Sequence, residues 1–310
     1  MKLSLIVPCY NEAENVSVLQ KAIIDTFSPC GYSFEIIFID DGSADDTYSV
    51  LRDIHAQQIC PVKVIRFSRN FGKEAAIFAG LKHTSGEYIS LIDADMQQPP
   101  HVVKKMVEIL ESEPECDIVA AYQDQRNEGA FLKFYKKCFY KLINCLSDIN
   151  LRRDASDFRT FRRCVAESIL SLGEYHRFSK GLFAWVGYNT QFIPYTAGKR
   201  NAGKSKWNFF KLFNYAIDGI IGYSTKPLRI ATFLGGLTSV ASMIYLVIVV
   251  LQKLIRGIDI PGYATIIVLI LLLGGMQLFC IGIIGEYVGK AFEQSKNRPI
   301  YVAREILDYN

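Results

Sequence analysis

Two long uncharged stretches constrain this chain more than anything else in it. No Asp, Glu, Lys or Arg occurs from Ile230 to Gln252, and none occurs again from Ile260 to Gly285. Each stretch exceeds the roughly 20 apolar residues with which a helix crosses a bilayer. Runs of this kind are uncommon in the buried helices of soluble folds. The expectation is therefore two transmembrane helices, at about 230–252 and 262–286, within a membrane region of 229–288. At the Met1 end, "KLSLIVP" is too short for the apolar part of a signal peptide and runs straight into polar residues. The large N-terminal part is thus expected to remain on the side where it is made.

Basic residues then give the orientation. Lys204, Lys206, Lys211, Lys226 and Arg229 precede the first stretch, and Lys290, Lys296, Arg298 and Arg304 follow the second. The short connection holds only Lys253 and Arg256 beside Asp259. Lys and Arg concentrate on the cytoplasmic side of a membrane protein, so both termini should face the cytoplasm of a plasma-membrane protein. The eight cysteines form no Cys-x-x-Cys, which suits scattered reduced thiols more than a disulfide frame or zinc site. The four histidines have no ligand spacing, and a net charge of +4 is too mild to argue for nucleic acid. The basic residues lie near the membrane segments, where anionic headgroups are the natural partner.

Before the membrane the pattern is that of an α/β domain. "LSLIVP", "FEIIFID", "VKVIRF", "EYISLID" and "CDIVAAY" read as strands, and Glu12 to Phe27 and Asp45 to Gln57 carry helix-period apolar positions between them. Such a series implies a mostly parallel sheet covered by helices, with ligands bound beyond the carboxyl ends of the strands. The polar clusters fall at those ends: "CYNE" after the first strand, "DDGS" after the second, "SRNFGKE" after the third and "DADMQ" after the fourth. In the last, Asp93 and Asp95 stand one residue apart directly after an apolar run. The pair is either a polar loop that binds nothing or a site for a divalent cation, which is held by carboxylate and amide oxygens completed by substrate phosphates. Further on, Ala130 to Leu146 sets Phe131, Phe134, Tyr135, Phe139 and Leu142 on one face among Lys133, Lys136, Lys137 and Lys141. That face either packs on the domain or lies in the membrane interface. Trp207 to Ile221 repeats the pattern just before the membrane, giving an amphipathic juxtamembrane helix over 206–228.

"VPCYNE" (Val7 to Glu12), "DDGSADDT" (Asp40 to Thr47) and "DADMQ" (Asp93 to Gln97) together resemble the nucleotide-sugar domain of family 2 glycosyltransferases, which have the glycosyltransferase-A fold. The resemblance continues through "SDFRTFRR", "FSKGLFAWVGY", "RNAGKSKW" and "GEYVGK", and so covers nearly the whole chain. It is strongest to the polyprenyl-phosphate members with two C-terminal spans, the bactoprenol glucosyltransferases and their dolichol-phosphate mannosyltransferase relatives. The implied organisation is a glycosyltransferase-A catalytic domain over 1–205, the juxtamembrane helix, the two spans and a cytoplasmic tail over 289–310.

The resemblance implies a reaction and its residues. An inverting transfer would move one sugar, glucose or a related hexose or N-acetylhexosamine, from a UDP-linked donor to polyprenyl phosphate at the cytoplasmic face. Asp93, Asp95 and Gln97 would hold magnesium or manganese, which bridges phosphate oxygens as the diphosphate leaves. Pro8, Tyr10, Asn11, Glu12, Asp40, Asp41, Lys73 and Ala94 correspond to the donor pocket, where Glu12 and Asp40 can accept hydrogen bonds from hydroxyls or base nitrogens. Glu12 could equally favour a helix N-terminus, and Asp40 and Asp41 the turn at Gly42. Asp157 matches the family's acidic residue near the acceptor, as general base or as a positioning group. Arg200, Lys204 and Lys206 resemble a basic loop that closes over the diphosphate. Arg126, Lys133 and Arg159 are candidates for the lipid phosphate, which suits the planar arginine fork.

Three departures stand out. Gln98 lies where relatives more often have Asp, Lys180 where an arginine is usual, and Trp207 where a tyrosine is common. Two rival readings also remain: a catalytically silent anchor or flippase-assisting scaffold, and a processive polysaccharide synthase, whose Gln-x-x-Arg-Trp signature neither Trp185 nor Trp207 completes. Glycine pairs at Gly235 and Gly274 would let a second copy approach closely, so a homo-oligomer is compatible with the spans. The topology is directly testable. A cysteine introduced between Arg256 and Gly262 should react with a membrane-impermeant thiol reagent in intact cells, and labelling only in broken cells would reverse the orientation.

Overall fold

In the computed structural model, residues 2–123, 155–198, 219, 221–256 and 262–309 are described. The strands and helices follow in the order β1 (Leu3–Cys9), α1 (Ala13–Phe27), β2 (Phe34–Asp40), α2 (Thr47–Gln57), β3 (Val62–Phe67), α3 (Lys73–Lys82), β4 (Tyr88–Leu91), α4 (Pro100–Ser112) and β5 (Ile118–Gln123). Then come β6 (Ala155–Arg162), α5 (Arg163–Ser171), α6 (Ser179–Trp185), β7 (Thr190–Tyr195), α7 (Lys226–Arg256), α8 (Tyr263–Ser295) and β8 (Ala303–Leu307). All eight strands join one sheet in the order β7-β5-β6-β4-β1-β2-β3-β8.

The five strands read from the sequence are present, and the parallel core β3-β2-β1-β4 is as expected. Period-two alternation explains how it sits between two helical layers. Leu3, Leu5, Val7, Ile36 and Phe38 pack against α1, α2 and α4, while Ile6, Ile37, Ile39, Ile65 and Ile89 face α3, α5 and α6. Beyond this core the sheet is mixed. β6 runs antiparallel between β4 and β5, and β7 is parallel to β5 at one rim. After β3 the chain crosses to the far side of β1, so the carboxyl ends of β1, β2 and β4 open together. Gly42 sits at φ +67 in the loop after β2, where a Cβ would overlap the main chain of Arg69 and Asn70. That glycine lets the loops after β2 and β3 touch.

α7 and α8 are long and apolar enough to cross a membrane, with 18-residue stretches of mean hydropathy 2.2 within Lys226–Gln252 and 2.4 within Val268–Ser295. Their apolar windows are not buried against protein, as side chains such as Met243 and Leu278 standing mostly exposed illustrate. The helical ranges correct two expected boundaries. α7 starts at Lys226, inside the stretch assigned to the juxtamembrane helix, and α8 continues to Ser295, well into the supposed tail. The end of α8 is tied to the domain: Gln294 donates to the Gly173 carbonyl at 2.8 Å and accepts from the Tyr175 N–H at 2.7 Å, and Glu293 pairs with His176. Tyr287 also donates to the Ser224 carbonyl at 2.6 Å.

Past α8 the chain returns to the sheet, which the sequence reading did not foresee. β8 pairs antiparallel with β3. Tyr309 then donates to Glu35 at 2.9 Å, and its ring lies under the Lys63 ammonium. Pro299 to Leu307 lacks clear alternation, so its pairing depends on the waiting β3 edge rather than on its own pattern. Removing residues 302–310 should expose that edge. The expected outcome is a thermal midpoint lower by about 5 °C or more in detergent, with faster aggregation, measured by scanning fluorimetry and light scattering.

Candidate functional site

The site is assembled by loops that brace one another. Asn11, at φ +55 just past β1, accepts from the Ala44 N–H and donates its own N–H to Ser43, both at 2.9 Å. The Glu12 N–H donates to Thr47 at 2.8 Å, and the Glu12 carboxylate accepts from Asn15 at 2.6 Å. The "CYNE" and "DDGSADDT" loops are therefore stitched together. Pro8 closes β1 and Tyr10 stands exposed at the loop surface.

Asp40 and Asp41 have different tasks. Asp40, fully buried at the end of β2, accepts from the Ser43 N–H at 3.0 Å, while its Oδ2 lacks a hydrogen bond and lies 3.8 Å from the Arg66 guanidinium. Such a buried acceptor suits a ligand donor. Asp41 instead accepts from the main-chain N–H groups of Phe71 and Gly72, at 2.6 and 2.9 Å. Burial pushes its carboxyl up to about 6 despite those bonds. The donor-pocket assignment of Asp41 is thus corrected: its oxygens anchor the loop after β3.

That loop delivers Lys73, the first residue of α3. Its ammonium lies 2.5 Å from Asp93 Oδ1 and 3.4 Å from Asp157 Oδ2, so one cation bridges a carboxylate of the "DADMQ" turn and one from β6. Burial opposes the lysine charge, but the two carboxylates outweigh it and hold its pKa above the ordinary value. Burial likewise works against the Asp157 charge, yet Lys73, Lys180 and Arg159 together bring its pKa down to about 2. Asp157 Oδ1 is buried without a hydrogen-bond partner.

The turn itself is tight. Met96 takes φ +65, Asp95 Oδ1 accepts from the Gln97 N–H at 3.1 Å, and Ala94 is buried beneath. Gly198 donates to the Gln97 carbonyl at 3.1 Å, and a Cβ there would meet the Met96 carbonyl at 2.6 Å. The chain just before the basic stretch thus lies directly on the turn. Gln98 is buried beside it and clasps Asp93 at two points, accepting from its N–H and donating to Oδ2, both at 2.8 Å. Among the described residues, no three His, Cys, Asp or Glu side chains form a metal cluster. Asp93, Asp95 and Gln97 still make a hard oxygen set of the kind a divalent cation shares with phosphates.

Arg159 proves unsuited to a lipid phosphate. It is 5% exposed, with its guanidinium 4.1 Å from the Phe183 ring centre, where it raises the positive potential around Asp157. Arg126, Lys133, Arg200, Lys204, Lys206 and Trp207 lie outside the described residues, as do the helix expected over 130–146 and most of that over 207–221. The sequence reading also passed over Glu74, whose carboxylate accepts from both the N–H and the hydroxyl of Ser179 at the start of α6. The signal was present in "SRNFGKE", where Lys73 and Glu74 open a helix together.

Comparison with known proteins agrees with this architecture. The model of glycosyl transferase family 2 matches residues 4–170, and that of the GtrB C-terminal hairpin matches residues 226–291. A Bacillus subtilis protein named as glycosyltransferase CsbB is 40% identical over 98% of this chain and 91% of its own length. The prophage bactoprenol glucosyl transferase homolog of Escherichia coli is 37% identical over 99% of both chains. The bactoprenol glucosyl transferase of Shigella phage SfV is 38% identical over 98% of both. Among solved structures, glucosyl-3-phosphoglycerate synthase from Mycobacterium tuberculosis, in complex with Mn2+, UDP-glucose and phosphoglyceric acid, is similar with a TM-score of 0.47 and 18% identity, over 71% of this chain and 77% of that one.

The Glu74 environment gives a pH prediction. Burial, with the Asp157 charge adding to it, pushes this carboxyl up to about 6, against an ordinary value of 4.5. A raised folded-state value contributes stability below the unfolded pKa that is lost as pH rises through about 6. Glu74→Gln removes that loss. Its stability relative to the parent should improve by about 1–2 kcal/mol between pH 5 and pH 8, read from denaturant midpoints at each pH. An unchanged difference across that window would refute the assignment.

Proposed function

The chain belongs to glycosyltransferase family 2, and on that premise we propose that it transfers one glucose or related hexose from a UDP-linked donor to a polyprenyl phosphate at the cytoplasmic membrane face, with inversion. The observation that carries this reading is the Lys73 bridge, which brings a carboxylate of the Asp-x-Asp turn and Asp157 into one site. The names of the full-length relatives support a bactoprenol-type acceptor and glucose as the sugar. α7 and α8 supply the means to stay beside a lipid substrate.

In this reading Asp95 and Gln97, with Asp93 beside them, would hold a divalent cation. When bound, it offsets the negative charge that develops on the departing diphosphate. Asp40 and the half-buried Glu12 offer acceptors to the nucleoside, one of them the buried Asp40 Oδ2 that lacks a hydrogen bond. Arg200 and Lys206 continue from the segment that lies on the turn and would close over the diphosphate. The lipid phosphate attacks the anomeric carbon in line, forming the new C–O bond as the bond to the nucleoside diphosphate breaks. Asp157, at a pKa of about 2, stays ionised at neutral pH, and the attacking phosphate is already largely deprotonated. Positioning through Lys73 is therefore the larger task of Asp157, with little proton abstraction demanded of it. Basic flanks on the outer ends of the spans support cytoplasmic termini.

Incubating the purified chain with a panel of nucleotide sugars and short-chain polyprenyl phosphate, and weighing the lipid product by mass spectrometry, tests the reading. A hexosyl polyprenyl phosphate formed with UDP-glucose is expected. Absence of any glycolipid across the panel would overturn it. Asp157→Asn should bind UDP and Mn2+ nearly as the parent does while product formation falls about 100-fold or more. Normal turnover in that variant would move the acceptor role to another group.

A further inference from the structure

α3 opens with two residues that reach in different directions. Lys73 bridges Asp93 and Asp157, and the next residue, Glu74, turns to α6. Successive positions on a helix point about 100° apart, so one turn of α3 serves both neighbours. A single oxygen, Glu74 Oε2, accepts from the Ser179 N–H at 2.9 Å and from the Ser179 hydroxyl. Ser179 is 4% exposed and is the first residue of α6. The residues that follow it meet other parts of the site. Lys180 adds to the positive field that keeps Asp157 ionised. Gly181 lies against Tyr223 so closely that a Cβ there would come within 2.5 Å of the ring. The Phe183 ring centre lies 4.1 Å from the guanidinium of Arg159, which is a further cation in the field around Asp157.

We propose that Glu74 is a positioning residue for the transfer: by holding the first turn of α6 it sets the places of Lys180 and of the Phe183–Arg159 pair around Asp157. The inference rests on the transfer proposed above and adds a part to its acceptor side. Both groups of Ser179 that meet Glu74 are donors, so the task calls for an acceptor oxygen at the right reach rather than for a charge. Without that oxygen the first turn of α6 loses two bonds at once, and displacement of the cations beside Asp157 alters its aim at the attacking phosphate. A misplacement of about 1 Å can cost about 100-fold in rate. The loops after β1 and β2, to which the nucleoside is assigned, are braced separately through Asn11, Ser43 and Thr47. Loss of the Glu74 bonds therefore falls on turnover and spares donor binding.

The test measures kcat, donor KM and UDP affinity for variants of the full-length protein in detergent, with UDP-glucose and short-chain polyprenyl phosphate as substrates. Glu74→Ala removes the acceptor, Glu74→Asp keeps the charge but withdraws the oxygen by one methylene, and Glu74→Gln keeps an oxygen at the original reach. Glu74→Ala and Glu74→Asp should each lower kcat about tenfold or more, with donor KM and UDP affinity within about threefold of the parent. Glu74→Gln should restore kcat to within about threefold of the parent. Thermal midpoints verify folding, and the Asp and Gln variants decide the matter should Glu74→Ala fail to fold. If Glu74→Gln is as slow as Glu74→Asp, or Glu74→Asp turns over like the parent, position is not what Glu74 supplies and the role is refuted. A donor KM that worsens as much as kcat falls refutes it too. A parent that forms no glycolipid overturns the functional reading itself, and this inference with it.

Discussion

Carboxylates of like charge converge on a small volume in this protein, and one lysine makes that tolerable. Asp93 from the turn after β4, Asp157 from β6 and Glu74 from α3 would repel one another strongly at low dielectric. Lys73 lies between the first two, while Ser179 binds the third. The outcome is visible in how unequally the acids hold their protons: Asp157 is held near 2 and Glu74 is raised to about 6. Burial works against both charges; for Asp157 the cations Lys73, Lys180 and Arg159 outweigh it, whereas for Glu74 burial and the Asp157 charge outweigh the Ser179 bonds and Lys73.

Much of this was readable from residue order. Short β-rich apolar runs located β1 to β5, and the polar strand ends located the rim, because both follow from local pattern. Asp40, Asp93 and Asp95 stand in those strand-end clusters, whereas Asp157 could be named only through the resemblance to the family. What escaped were features made by residues distant in sequence. Asp41 reads like Asp40, and only the approach of Phe71 and Gly72 across the sheet distinguishes them. Arg159 reads as a surface cation, yet its strand is inserted between β4 and β5, and insertion buries it. Gln98 looked like an unexplained departure until its amide was seen to close on Asp93.

The membrane helices and the site are also more closely joined than a two-part reading suggests. Gln294 and Glu293 at the end of α8 hold Gly173, Tyr175 and His176, a few residues ahead of the segment that opens α6. Ser179 in α6 binds Glu74, which neighbours Lys73 in α3. Near the start of the hairpin, Tyr223 donates to the Phe178 carbonyl at 3.5 Å. The hairpin therefore holds the segment leading into α6 from both of its ends, through bonded contacts rather than a slack linker.

The return of β8 to the sheet has a consequence for how the chain is made. Its partner β3 ends at Phe67 and β8 begins at Ala303, so roughly 240 residues must be synthesised before that edge is covered. At about 5–20 residues per second, the ribosome leaves the edge open for roughly 10–50 s. During that interval both long apolar helices, α7 and α8, must be made and the chain must come back to the sheet. The last strand to emerge thus acts as a latch that closes only once α7 and α8 have returned the chain to the side on which β3 lies.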